Sequence, residues 1–336
     1  MEQRDISLNA DVSYPLEIGW YSPLNIAGGA ELREESYEVT AGDTASYQVG
    51  PFASVIDPDT GRRVGLPVGS NGFPGFSPIQ AGTFSRENWA AYLALEADLT
   101  EKLTGGAAAR FEEFSDFGST FNWKVNARYD FIDAIGIRAS VNTGFRAPTP
   151  GQSNAFQVTT NIDSVSGAPL TSGIIPPTNP VAALSGARDL EPEESFNVSA
   201  GLVITPANRV TITLDYYSIE VDDRIALSGN FRLTQAQRDQ LAALGVPGGG
   251  SFDEISFFTN SFDSRTQGAD LVASFDFDML EGSAALSLNA KGLMIGGKKA
   301  KFELLAEDDA ADPKQGTAAA QKLVDSRVNG VIGHLN

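Results

Sequence analysis

Between Ser119 and Arg146 two segments alternate apolar and polar residues with period two across a tight turn, and no other stretch narrows the possible folds as far. Phe121, Trp123, Val125, Ala127, Tyr129 and Phe131 share one face, while Asn122, Lys124, Asn126, Arg128 and Asp130 form the other. Aromatics sit at both ends of the apolar face and aliphatics in its middle. About ten residue steps at roughly 3.3 Å, tilted by about 40°, span roughly 25 Å, the height of the apolar band of a membrane β-barrel with its two aromatic girdles. The hairpin therefore reads as two strands of a barrel wall.

Composition is compatible with that reading. The 336 residues contain Lys+Arg 24 against Asp+Glu 43, a formal charge of -19, which makes nucleic acid and anionic surfaces poor partners. There are no cysteines, so disulfides, thiolate metal sites and cysteine nucleophiles are excluded together. No apolar run approaches the roughly 20 residues of a spanning helix. A mean hydropathy of -0.13 looks soluble, but membrane barrels look the same because only alternate residues face lipid. Met1-Glu2-Gln3-Arg4-Asp5-Ile6 has none of the regions of a secretory signal, and alternation starts at once through Ile6, Leu8, Ala10 and Val12. The expectation is that the signal peptide lies outside this sequence, which starts within a domain.

Strand candidates lie near 5–13, 23–41, 86–100, 104–115, 119–131, 136–146, 194–206, 208–225, 255–277 and 282–289. Long connections rich in Gly, Pro, Ser and Asn (42–85, 147–193, 226–254) alternate with tight ones (101–103, 132–135, 206–208, 278–281). In an up-and-down barrel that alternation puts the long loops on one rim and the short turns on the other, the asymmetry of outer-membrane barrels. A soluble β-sandwich also alternates, yet strands of about 10–20 residues exceed the usual 5–6 of globular sheets. One helix is expected among the strands, at 233–244, with Thr234 as N-cap and Gly245 as its stop.

An ordered series of motifs resembles the β-barrel of TonB-dependent outer-membrane receptors over residues 1–282. It comprises Asn71-Gly72-Phe73-Pro74-Gly75-Phe76-Ser77-Pro78, Arg110-Phe111-Glu112 with Ser115-Asp116-Phe117-Gly118-Ser119-Thr120, and Gly144-Phe145-Arg146-Ala147-Pro148. Leu190-Glu191-Pro192-Glu193-Glu194-Ser195, Asp215-Tyr216-Tyr217, Asp223-Arg224-Ile225, Phe258-Thr259-Asn260 and Gly268-Ala269-Asp270-Leu271 follow. The resemblance implies an all-β fold, a partial transmembrane antiparallel β-barrel with about ten strands of a 22-stranded type and no plug in this sequence. It implies an outer-membrane receptor for energy-coupled uptake of a ferric siderophore, cobalamin, haem or oligosaccharide. The implied partners are the TonB complex, reached through a plug, a small-molecule ligand such as a metal chelate, and outer-membrane lipid. A passive pore or adhesin on the same barrel is the alternative.

After Gly282 the alternation fades. Residues 289–309 read as loop, strand and turn, 313–326 as a helix with Asp312 at its N-cap and Pro313 at N1, and Val328–Leu335 as a short strand. This short α/β tail, 283–336, resembles the N-terminal lobe of periplasmic branched-chain amino-acid binding proteins in Glu307-Asp308-Asp309-Ala310, Asp312-Pro313-Lys314-Gln315 and Gly333-His334-Leu335-Asn336. The resemblance implies a piece of an amino-acid binding protein that lacks the family's ligand-contacting loops and is not expected to bind an amino acid by itself, joined at 283–289 in a chimeric junction.

Candidate site residues come from the polar face and the motifs. Arg146, at the outer end of its strand, can steer an anionic chelate or hold a structural ion pair. Glu112, Glu113 and Asp116 can receive a cation or remain a solvated acidic edge. Glu191, Asp215 and Arg224 are motif positions of the resemblance. Asp57-Pro58-Asp59-Thr60-Gly61 lacks the length and closing glutamate of a calcium loop and reads as a turn. His334 is the sole histidine, so multi-histidine metal sites are excluded. No nucleophile–base pair, phosphate loop or metal constellation is present, so neither an enzyme nor a cofactor is expected.

Overall fold

Period-two alternation produces ten long strands in a computed structural model that describes residues 1–48, 50–52, 54–56, 63–65, 74–162, 169–245, 252–279, 282–295 and 298–300. They are β1 Glu2–Leu16, β2 Leu24–Val39, β3 Gly82–Thr100, β4 Leu103–Phe114, β5 Gly118–Ile132, β6 Ile135–Arg146, β7 Glu193–Ala207, β8 Val210–Leu227, β9 Phe258–Met279 and β10 Gly282–Ile295. Each pairs antiparallel with the next in chain order, so the sheet is a continuous meander. It does not close: among the described residues β1 pairs with β2 alone. These strands belong to a compact unit, Met1–Gly297. A second unit, Lys298–Asn336, is described only at the short strand Lys298–Ala300.

The ten expected strands all form, within a few residues of their expected bounds. The clearest difference is β10, expected to end at 289. It continues to Ile295, paired with β9 from Met279↔Gly282 to Thr266↔Ile295, so 290–295 are strand where a loop was expected. Pairing with a strand that is already ordered supplies the ladder bonds, and this outweighs the weak propensity of Gly292. The helix and final strand expected at 313–326 and 328–335, with His334, lie outside the described residues, as does Asp57–Gly61.

The registers sort the side chains into two faces. Ile6, Leu8, Val12, Tyr14, Leu32, Trp89, Leu93, Phe121, Trp123, Val125, Tyr129, Phe131, Ile137, Phe196, Leu214 and Leu271 are all exposed and all fall on one face. So many exposed large apolar side chains on one face exceed what a water-solvated surface carries and call for lipid or a protein partner against that face. No described helix is long and apolar enough to cross a membrane, a finding that leaves crossing by strands open.

The buried apolar core of the unit lies in the loops, away from the wall. The β6–β7 loop contributes strands Gln157–Ile162 and Pro169–Ile174 and helix Pro180–Leu184; the β8–β9 loop contributes strands Phe231–Arg232 and Glu254–Ser256 and helix Gln235–Ala243. The four strands form one sheet, whose parallel step pairs Ser172–Ile174 with Glu254–Ser256 and joins the two loops. Beneath it Ile175, Val181, Leu241, Phe252 and Ile255 are fully buried. The helix at 235–243 begins as expected: Thr234 caps it, with its side chain accepting from Gln237 N and Gln237 reaching back to Thr234 N. Its stop, Gly245, has φ +73, which glycine adopts without a Cβ penalty. Replacing Thr234 by alanine is expected to cost about 1 kcal/mol of local stability, seen as faster amide exchange over 235–243 with the wall amides unchanged. Equal exchange in both proteins would show that the cap does not hold this helix.

Candidate functional site

Charged side chains of the polar face meet because neighbouring strands carry opposite charges at facing or diagonal positions. The register sets Asp5 opposite Glu35, and Glu35 opposite Arg86. Arg33, two residues from Glu35 on the same face, fills the gap: its guanidinium pairs with Asp5 and reaches Glu35 Oε1 at 3.0 Å. Arg86 Nε donates to Glu35 Oε2 at 2.9 Å, and its Nη2 pairs with the same oxygen. The result is a ladder, Asp5–Arg33–Glu35–Arg86, across β1, β2 and β3.

Arg86 is its innermost member, with only 4% of its side chain exposed. Its Nη1 donates to Pro148 O at 2.6 Å and lies 3.6 Å from Asp116 Oδ2. The guanidinium also sits 5.3 Å from the Phe114 ring centre and 5.7 Å from that of Phe117. Those rings stack at 4.5 Å, with Phe145 edge-on to Phe114 at 5.7 Å. Two motifs distant in sequence, Ser115–Thr120 and Gly144–Pro148, thus meet at one arginine. Its buried charge is tolerated because a carboxylate, a carbonyl and two π faces surround it.

A second cluster centres on Arg110, whose Nη2 donates to Glu31 Oε2 at 2.8 Å and whose Nε donates to Glu112. Glu112 is buried and also accepts weakly from Asn88 Nδ2 at 3.4 Å. Further round the sheet Arg138 clamps Asp215 with two bonds, 2.9 and 2.7 Å, in the bidentate geometry that suits a carboxylate. Arg146 Nη2 donates to Glu193 Oε1 at 2.6 Å, and the same oxygen accepts from Ile225 N at 2.8 Å.

The structure therefore places the expected residues in several separate groups. Glu112 belongs to the Arg110 cluster, Asp116 to Arg86, Asp215 to Arg138 and Arg146 to Glu193. Arg224 follows a bulge in β8, where Asp223 takes φ 54; it donates to Ser264 Oγ at 3.2 Å and lies over Phe262 at 5.7 Å. Glu191 engages through its backbone, with N donating to Asn260 Oδ1 at 3.0 Å and O accepting from Asn260 Nδ2 at 2.9 Å. The carboxylate that links β6, β7 and β8 is Glu193, two residues on and 5% exposed. Arg86 and Glu35 were not read from the sequence at all, and Arg110 and Glu193 entered only as members of their motifs. A usable signal was present in the polar-face parity of Arg86 with Asn88, but their partners depend on register. Among the described residues no group of three or more acidic or histidine side chains converges to hold a metal ion. Chemically, the described part of the face offers a series of charge-paired positions across neighbouring strands.

Comparison with known proteins places this geometry. The family model for the TonB-dependent receptor-like β-barrel matches residues 4–331. The siderophore receptor PirA of Pseudomonas aeruginosa has a similar structure, with TM-score 0.55 at 15% identity over 87% of this chain and 45% of its own. PirA of Acinetobacter baumannii gives TM-score 0.52 at 12% identity, over 87% of this chain and 48% of its own. A mutant of the ferric enterobactin receptor PfeA of Pseudomonas aeruginosa, in complex with enterobactin, gives 0.56 at 12%, over 88% and 36%. The chain spans less than half of each of these structures, and at such identities they speak for the fold alone. Leu/Ile/Val-binding protein homolog 2 of Brucella abortus is 39% identical over 98 residues, 29% of this chain and 24% of that protein.

Proposed function

Since the chain belongs to the TonB-dependent receptor β-barrel family, we propose that it is part of the wall and loop cap of an outer-membrane receptor that imports a scarce ligand through the TonB complex. The observation that carries this reading is the two-faced sheet: a continuous exposed apolar face, a charge-paired polar face, and long loops all at one rim. A passive pore has a similar wall, but nothing in its task calls for two loops folded together over a shared core. The proposed ligand class is a ferric siderophore, cobalamin, haem or an oligosaccharide. A ferric siderophore, the cargo class in the names of receptors that share this fold, is the first of these to test. The outer membrane is the proposed location, and lipid the partner of the apolar face.

Cells carrying the full-length receptor are expected to accumulate radio-iron from a cognate ferric chelate only while the inner membrane is energised and the TonB complex is present. Uptake that continues in de-energised cells would refute the importer and restore the passive pore.

We further propose the division of the chain into a receptor segment, 1–282, and a segment, 283–336, related to periplasmic amino-acid binding proteins. A Leu/Ile/Val-binding relative matched over 98 residues supports the presence of such a segment, though not these bounds, since that match is longer than 283–336. Amplifying genomic DNA across codons 275 to 295 from a clonal isolate tests the junction: an uninterrupted product of the expected length would refute a misassembled reading frame.

A further inference from the structure

On the polar face Arg33, Arg86, Arg110, Arg128, Arg138 and Arg146 each hold a carboxylate within ion-pair distance. Lys124 shares that face and holds none among the described residues. Its register partners are Ala108 on β4 and Asn142 on β6, both neutral. Its diagonal neighbours are Gly106 and Arg110 on one side and Ser140 and Gly144 on the other, and Asn122 and Asn126 flank it along β5. No acid occupies any of these positions, in a chain where acids outnumber bases 43 to 24. Facing opposite charges are the ordinary way a sheet satisfies a lysine, and here that option is unused.

The surroundings of Lys124 are rich in donors. A depression of about 370 Å³ is lined by Tyr92, Arg110, Asn122, Lys124 and Asn142, with no carboxylate among its lining residues. Asn142 Oδ1 already accepts from Asn197 Nδ2 at 3.0 Å, so its own amide group is left to donate. Arg110 spends Nε and Nη2 on Glu112 and Glu31, two carboxylates against one guanidinium, so it has no charge to offer a ligand. Among the described residues Lys124 is thus the cation of this depression that bonds no carboxylate, and Asn122 and Asn142 flank it from two strands.

The backbone opens at the same place. The β5–β6 ladder runs from Ile132↔Ile135 only as far as Lys124↔Asn142, although β5 stays paired with β4 to Gly118 and β6 with β7 to Arg146. Just beyond the last pair, Trp123 N donates to the Thr143 hydroxyl at 3.1 Å, where a ladder carbonyl would ordinarily accept. A second space, about 250 Å³, follows between Ser119–Asn122 and Thr143–Phe145. Lys124 therefore stands at the fork of a partly opened seam, with room beside it.

We propose that Lys124, with Asn122 and Asn142, is an anion subsite of the wall that takes a single carboxylate presented from the polar face. One ammonium without a carboxylate, flanked by amide groups, matches a monoanionic, two-oxygen group better than a phosphate, which calls for more positive charge. Two sources can present that chemistry: a free carboxylate solute, or an Asp or Glu side chain of polypeptide lying inside the barrel. Only the identity of the bearer rests on the importer reading; the subsite itself does not.

Outer-membrane vesicles containing the full-length receptor allow both sources to be tested by chemistry at the lysine amine. A water-soluble carbodiimide joins an amine to a carboxylate in contact with it, with loss of urea, and peptide mass spectrometry then names the partner. A Lys124 link to Asp or Glu establishes the polypeptide source, and Lys124→Gln removes it. In the second arm, acetylation of Lys124 is followed with succinate or neutral succinamide present, using Lys102, whose Nζ donates to Phe131 O at 3.1 Å, as the internal reference. At succinate about tenfold above its Kd, modification is expected to slow roughly tenfold, with no effect of succinamide. Protection without a link establishes the free source. Neither a link nor protection overturns the subsite. Both readouts are independent of transport, so a receptor that fails to import can still confirm the subsite, and the reverse also holds.

Discussion

Replacing Arg86 by alanine is expected to lower the unfolding free energy of the full-length receptor by about 3–5 kcal/mol, because it leaves a buried carboxylate without its main partner. Arg86 and Glu35 have 4% and 9% of their side chains exposed, so water cannot take over the lost contacts. Pro148 O loses its donor, and Phe114 and Phe117 lose the cation between them and the wall. Arg33 remains 3.0 Å from Glu35, which places the loss toward the lower end of that range. Denaturant titration of the detergent-solubilised receptor, with folded and unfolded forms separated by unheated gel migration, measures it. The double variant Arg86→Met, Glu35→Met removes both charges and is expected to recover most of the loss, since the penalty comes from a charge left unpaired rather than from a missing attraction. Arg86→Lys keeps the charge but not the fork that bonds Glu35 and Pro148 together, and should fall between. A single variant as stable as the wild type would show that the ladder contributes nothing to holding the wall.

Most of the wall was legible in the sequence because its solvent imposes a strict rule. A strand with lipid on one side and polar surroundings on the other alternates for its whole length, and alternation is read residue by residue. Thus β5, expected at 119–131, spans Gly118–Ile132. The loop cap obeys no such rule. Ser172–Ile174 pair with Glu254–Ser256, about 80 residues away, and the core beneath is assembled from single apolar positions such as Val181, Leu241 and Phe252. Local sequence carries no trace of that pairing, so the loops read as irregular apart from the helix that Thr234 caps. Charge partners were hidden for a related reason. Arg146 is visible as a polar-face residue, yet whether it meets Glu191, Glu193 or nothing depends on where β7 begins against β6. The observed register sets Glu193 opposite Arg146. A two-residue slip would have kept every side chain on its face while changing every partner.

That distinction, faces legible and partners not, leads to the sharpest test of the membrane assignment. Val125 lies at the middle of β5 on the apolar face, 51% exposed, with Ala107 and Val141 as its register partners. Asn126, the next residue, lies on the opposite face between Gly106 and Ser140. An arginine at position 125 must place its charge near the centre of the hydrocarbon, which costs about 2–4 kcal/mol at the midplane of a barrel. An arginine at position 126 enters surroundings that already hold Arg128 and Asp130 as a 3.0 Å pair, and is expected to change stability by about 1 kcal/mol or less. Folding of the two full-length variants into phospholipid vesicles, titrated with denaturant, is therefore expected to separate strongly, with Val125→Arg far weaker than Asn126→Arg. In detergent the gap should narrow, because a micelle deforms around a charge more readily than a bilayer does. Equal stabilities in vesicles would mean that residue 125 does not face lipid, and the apolar face would then have to be covered by protein. If instead Asn126→Arg were the damaging change, the two faces would be reversed, and Lys124 would face the membrane on the wrong side of the wall to meet any ligand.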